Sequence, residues 1–79
     1  MEYIDPDSGD IVDLDSVLGI QKALTLLGYA PGTADGVDGP HTREAVRKFQ
    51  KEKGLAADGI AGPNTKMALA EAVGQKLMG

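Results

Sequence analysis

Arg43, Arg47 and Lys51 follow one another at four-residue steps, so in a helix they line up as one basic stripe. Guanidinium groups so placed suit carboxylates, because the planar fork donates two parallel N–H bonds to the two oxygens. Asp35, Asp38 and the hydroxyl of Thr42 lie just ahead of Arg43. Tyr29 precedes them, with an apolar ring and a polar tip that suit core packing and ligand contact alike. Tyr29, Asp35, Asp38, Thr42, Arg43 and Arg47 are therefore the groups with which this chain could hold something. Turnover fits poorly. The chain has no Cys and a single His, His41, with Asp38 as the one acid close before it. No nucleophile, base and orienting group can be assembled from that set. No metal ligand set and no cofactor motif is present either. The aspartates near the start invite a calcium loop, but counting from Asp5 the fifth, sixth and twelfth positions are Gly9, Asp10 and Ser16, not acid, glycine and glutamate.

What must position these groups is a phrase that occurs twice. Asp35-Gly36-Val37-Asp38-Gly39-Pro40-His41-Thr42 and Asp58-Gly59-Ile60-Ala61-Gly62-Pro63-Asn64-Thr65 both read Asp-Gly-aliphatic-X-Gly-Pro-X-Thr. Asp-Gly makes a tight turn, since Asp bonds its own backbone and Gly accepts positive φ. Gly-Pro then opens a helix, because proline at the first helical position gives up an N–H that had no partner anyway. The aliphatic residue, Val37 or Ile60, is expected to drop into the core, with Leu55 and Ile60 anchoring the second crossing. Asp35 and Asp58 read first as turn formers and only second as ligand contacts. The first-turn amides of the two helices offer a further anion site.

Three helices follow from the spacing. The first starts at Asp15 or Ser16, buries Val17, Ile20, Leu24 and Leu27, and stops at Gly28. Tyr29 to Ala34 forms a loop. The second runs from Pro40 to about Lys53, with Thr42, Ala45, Val46 and Phe49 inward and Glu44 able to pair with Lys48. The third starts at Pro63 and reaches about Lys76, weakened by Gly74. Ahead of them, Tyr3-Ile4 and Ile11-Val12 flank a turn-forming cluster and predict a short β-hairpin with Gly9 at positive φ. The fold class is all-α: a compact three-helix bundle (15–79) with two helix-opening loops, preceded by an acidic hairpin or extension (1–14).

Size and charge narrow the partners. Seventy-nine residues make one small domain. The net charge of −4 is uneven: residues 1–15 carry six acids and no base, leaving six acids against eight bases, or +2, in the rest. An acidic leading segment argues against nucleic acid, whose phosphates need Lys and Arg. No apolar run is long enough for a membrane span, and no signal peptide is expected.

In order and spacing, Ile20-Gln21, Leu24, Leu27-Gly28-Tyr29, Asp35-Gly36, Gly39, Thr42, Ala45-Val46, Phe49-Gln50, Asp58-Gly59, Gly62, Thr65 and Leu69 resemble the peptidoglycan-binding domain of the PG_binding_1 type. The resemblance covers about residues 16–70. It implies a three-helix fold and non-catalytic attachment to bacterial cell wall, in a family commonly fused to wall hydrolases such as phage lysins, amidases and carboxypeptidases. The implied partner is peptidoglycan, through muropeptide stems or glycan, with a fused or associated hydrolase or a virion protein beside it. The implied location is the cell wall, facing the periplasm, or a virion. Arg43 and Arg47 would clamp stem carboxylates; the competing reading is an ordinary solvated helix face. Gln21 and Gln50 recur in the family pattern and are expected to bond a loop carbonyl. Two positions depart from the pattern: Asp38 stands where an aromatic is frequent, and Lys66 where Trp is frequent. Sugar stacking would then rest on Tyr29. The alternative function is a protein-interaction or structural adaptor in a phage virion or secretion apparatus, favoured by the acidic ribbon and the missing Trp.

Overall fold

Ser16 starts the first helix. Its Oγ accepts the Gly19 N–H at 3.0 Å and donates to the Asp13 carbonyl at 2.8 Å, so one hydroxyl caps α1 (Val17–Leu26) and ties it to the preceding strand. In the computed structural model, which describes residues 2–5, 9–29, 32 and 34–78, two further helices follow: α2 (Pro40–Glu52) and α3 (Pro63–Met78). The first two end alike. At α1, Gly28 takes φ 89°, its N–H reaches the Thr25 carbonyl, and the Tyr29 N–H reaches Leu24. At α2, Gly54 takes φ 71°, with its N–H on Lys51 and the Leu55 N–H on Gln50. Both are double-bonded caps that only a residue free to enter the left-handed region closes cheaply. Lys53 caps α2 instead of continuing it, and α3 runs two residues past Lys76 because Gly74 weakens the helix without breaking it.

The expected hairpin forms as β1 (Glu2–Ile4) and β2 (Ile11–Asp13), antiparallel, with Tyr3 opposite Val12 and Ile4 opposite Ile11. Gly9 sits at φ 76°; Pro6, Asp7 and Ser8 of the expected turn lie outside the described residues, as do Ala30, Pro31 and Thr33 of the loop after α1. Alternation along β2 sends Val12 inward while Ile11 and Asp13 face out. Leu14, in the stretch expected as an extension, is fully buried in the core with Leu24, Phe49 and Leu69. α1 is the central element, packing on β2, α2 and α3.

Two core expectations are corrected. Val37 is 62% exposed and Ile60 68% exposed, so neither anchors the interior; only Leu55 is half-buried. Each aliphatic residue's backbone is used inward: its N–H bonds the Asp carboxylate two residues earlier and its carbonyl takes a glutamine amide. The side chain is left pointing away. The predicted pair of Glu44 with Lys48 is also replaced, since Glu44 bonds Arg47 at 2.9 Å.

Gly19 marks where the ribbon meets α1. A Cβ there would lie 1.7 Å from the Asp13 carbonyl oxygen, a backbone atom that cannot swing aside. Gly74 has open space around it. Helix propensity alone favours Ala at either site by about 1 kcal/mol. Gly19→Ala is instead expected to destabilise by about 2 kcal/mol or more, in the manner of an overpacked core. Gly74→Ala should gain up to about 1 kcal/mol. Urea unfolding of both variants checks this, and equal effects would contradict the packing account.

Candidate functional site

Each repeated loop is built around one buried glutamine. Gln21, on α1, uses Oε1 to accept the Gly36 N–H at 2.9 Å. Its Nε2 lies 3.3 Å from Asp35 Oδ1, 3.0 Å from the Val37 carbonyl and 2.8 Å from Thr42 Oγ1. Gln50, on α2, repeats the set. Its Oε1 takes the Gly59 N–H at 2.9 Å, and its Nε2 lies at 3.0 Å from Asp58 Oδ1, 2.9 Å from the Ile60 carbonyl and 3.0 Å from Thr65 Oγ1. The Gly N–H can only donate, which fixes the amide's orientation. Both glutamines are 1% exposed, and among the described residues no buried side-chain nitrogen or oxygen lacks a partner. The expected bond from Gln21 and Gln50 to a loop carbonyl is present in both copies.

The glycines of the Asp-Gly turns are needed where they stand. Gly36 and Gly59 take φ 80° and 76°, and a Cβ on Gly59 would lie 3.2 Å from the Arg43 carbonyl oxygen. This close approach presses the second loop onto α2. Asp35 and Asp58 are turn-builders here: their Oδ1 atoms accept the Val37 and Ile60 N–H groups, each at 2.9 Å. Those backbone bonds, followed by the glutamine amides, hold both carboxyls below the usual aspartate range.

The outward turn of Ile60 shapes a groove of about 450 Å³ between the start of α1, the first half of α2 and the second loop. It brings together four of the predicted residues, Asp38, Thr42, Arg43 and Arg47. Arg43 and Asp38 are ion-paired at 3.4 Å, both half-exposed, so Asp38 points outward. Thr42 contributes from a buried position with its hydroxyl on Gln21. Val46 and Ile20 supply an apolar floor.

Two predicted residues lie outside the groove. Asp35 belongs to the first loop and does not line it. Tyr29 stands at a separate concavity beside Lys48, Lys51 and Glu52. Its ring packs edge-on against Phe49, with centroids 5.5 Å apart, and its phenol donates to Glu52. That bond pushes the phenol up to about 12. The basic stripe is thereby divided, with Arg43 and Arg47 on the groove and Lys51 on the tyrosine side.

Lys66, Asp15 and Ile60 are groove residues that sequence reasoning did not place there. The repeat carried the signal for Lys66. It follows Thr65 as Arg43 follows Thr42, and so holds the same position one helix later. Ala61 replaces the acid that Asp38 provides in the first copy, and Lys66 pairs instead with Asp15 at 3.4 Å. Nothing in the local sequence around Asp15 announces that contact, which joins positions 51 residues apart.

Among known protein families, the model described as "Putative peptidoglycan binding domain" matches residues 14–69, which spans Leu14, both loops and Leu69. Comparison with curated proteins and with solved structures finds no match.

Gln50→Leu leaves the Gly59 N–H and the Thr65 hydroxyl without their partner, and is expected to cost about 2 kcal/mol or more in urea unfolding. An unchanged midpoint would remove the glutamine from its central role. The lowered aspartate carboxyls also set a pH dependence. A folded-state value below the unfolded one means the unfolded chain binds more protons, so stability rises with pH through that window. The contribution is complete above about pH 4 and is lost as pH falls through the depressed folded values. The Asp35→Asn, Asp58→Asn double variant should show a shallower acid-unfolding limb below about pH 4 than the parent. An equally steep limb would contradict this.

Proposed function

The chain belongs to the peptidoglycan-binding-domain family, and on that premise we propose that it attaches to bacterial cell wall without catalysing a reaction there, holding a fused or associated partner at the polymer. The observation that carries the proposal is the groove. Within the matched residues it gathers Arg43, Arg47 and Lys66 with Asp38 around the apolar surface of Ile20 and Val46. A surface groove of this kind suits weak binding to a repetitive ligand. A wall polymer presents the same unit many times, and a tethered partner then works at a raised local concentration even when each contact is weak. A wall hydrolase is the partner this arrangement serves best, because its substrate is the surface to which the module holds.

A second reading, an adaptor in a virion or secretion apparatus, is favoured by one observation. Ile4 and Ile11 are cross-strand partners on the ribbon and are 63% and 69% exposed, a solvent-facing apolar pair outside the family match. Stoichiometric recovery of a protein partner that the Ile4→Ser, Ile11→Ser variant loses would favour the adaptor.

The wall-binding reading predicts that the purified chain co-sediments with insoluble peptidoglycan sacculi at low salt. Arg43→Ala with Arg47→Ala should leave thermal unfolding nearly unchanged, since both side chains are about half exposed. The pair should weaken sedimentation roughly tenfold, the scale of a lost charge-assisted hydrogen bond. A chain that stays wholly in the supernatant would overturn the reading.

A further inference from the structure

Resting on the wall-binding reading, we infer that the groove selects the peptide stems of peptidoglycan, and that the side chain of Ile60 is a specificity-determining contact for them. Among the described residues that line the groove, the charges balance. Arg43, Arg47 and Lys66 face Asp15, Asp38 and Asp58, and three minus three is zero. A uniformly anionic polymer therefore meets as many repelling groups as attracting ones. The ion pairs that cross this surface, Arg43 with Asp38 and Lys66 with Asp15, are both 3.4 Å long. The Arg43–Asp38 pair is long and exposed on both sides, and such pairs contribute little, so a ligand can open it at small cost, while Lys66 is more covered. A ligand does so with least loss when it carries both signs, giving a carboxylate to Arg43 and an ammonium to Asp38. A singly charged ligand strands the other member of the pair.

The groove also lacks what a sugar strand needs. Sugar rings present flat C–H faces that pack on aromatic rings, and Tyr3, Tyr29 and Phe49 are all absent from the lining. What the groove offers is small aliphatic surface from Ile20, Val46, Ala61 and Ile60. Short peptides rich in alanine, with free carboxylates and an amine, match that mixture of methyl-sized surface and paired charge.

The repeat supplies the argument for Ile60. Val37 and Ile60 hold the same position in the two loops, make the same backbone bonds and are similarly exposed. Only Ile60 lines the groove. A purely structural role would weigh equally on both, whereas a ligand contact falls on Ile60 alone.

The test is an amide NMR titration of the full chain with a soluble, uncross-linked stem tetrapeptide and, separately, with peptide-free glycan oligosaccharides. The expected result is that the tetrapeptide moves signals of residues 38–47 and 59–61 while the glycan does not. Ile60→Thr, which keeps β-branching, should bind the tetrapeptide roughly three- to tenfold more weakly, as one lost apolar contact gives, and Val37→Thr should bind as the parent does. Arg43→Gln, an exposed change with no folding role, should weaken it on its own. Glycan moving the groove signals with the tetrapeptide silent would overturn the inference, as would equal effects of Ile60→Thr and Val37→Thr. Sedimentation separates the two failures. A chain that pellets with sacculi yet ignores the tetrapeptide sinks only the stem assignment, and one that does not pellet sinks wall binding with it.

Discussion

Everything in this small domain depends on one interaction made twice: a buried glutamine amide that satisfies an otherwise irregular loop. The loops 35–39 and 58–62 contain no regular ladder to absorb their backbone polar groups, and buried groups of that kind cost roughly 1–3 kcal/mol each when left unpaired. Gln21 and Gln50 supply an acceptor for the glycine N–H and donors for the aliphatic residue's carbonyl. A domain of this size is stable by only about 5–15 kcal/mol in total, so a single network is a large share of the whole.

The two networks also form a chain of attachment. Gln21 stands on α1 and reaches Thr42 on α2; Gln50 stands on α2 and reaches Thr65 on α3. Each helix therefore positions the first turn of the next through a polar contact, while Leu24, Phe49 and Leu69 fill the space between them. Apolar packing is tolerant of small displacements, and an amide holding four partners is not. The register of the bundle is set by the glutamines and its cohesion by the core. The groove is a by-product of the same device, because a loop that spends the Ile60 backbone inward must send the Ile60 side chain outward.

Most of the architecture was legible from turn and cap residues. Ser16, Gly28, Gly54, Pro40 and Pro63 bound the helices close to where local rules place them. Gly9 and the alternation of Ile11-Val12 gave the ribbon. The errors came from reading residue type without backbone demand. Val37 and Ile60 are apolar and sit between turn signals, so burial was the natural expectation, and only the doubled use of their backbone explains why it fails. Of the candidate site, the basic face of α2 was readable from its four-residue spacing. The division of that face was not, since it depends on where the second loop and Asp15 arrive from distant parts of the chain. Tyr29 was ambiguous in sequence, and its edge contact with Phe49 and bond to Glu52 place it apart from the groove.

The most direct test of the account is amide hydrogen exchange at Gly36 and Gly59. Both lie in loops, and Gly36 is exposed, so a loop without internal support would exchange these N–H groups almost as fast as free peptide. If the glutamines hold the loops, both amides will exchange as slowly as core-helix amides such as Leu24 and Phe49. Fast exchange at the two glycines beside slow exchange in the helices would contradict it.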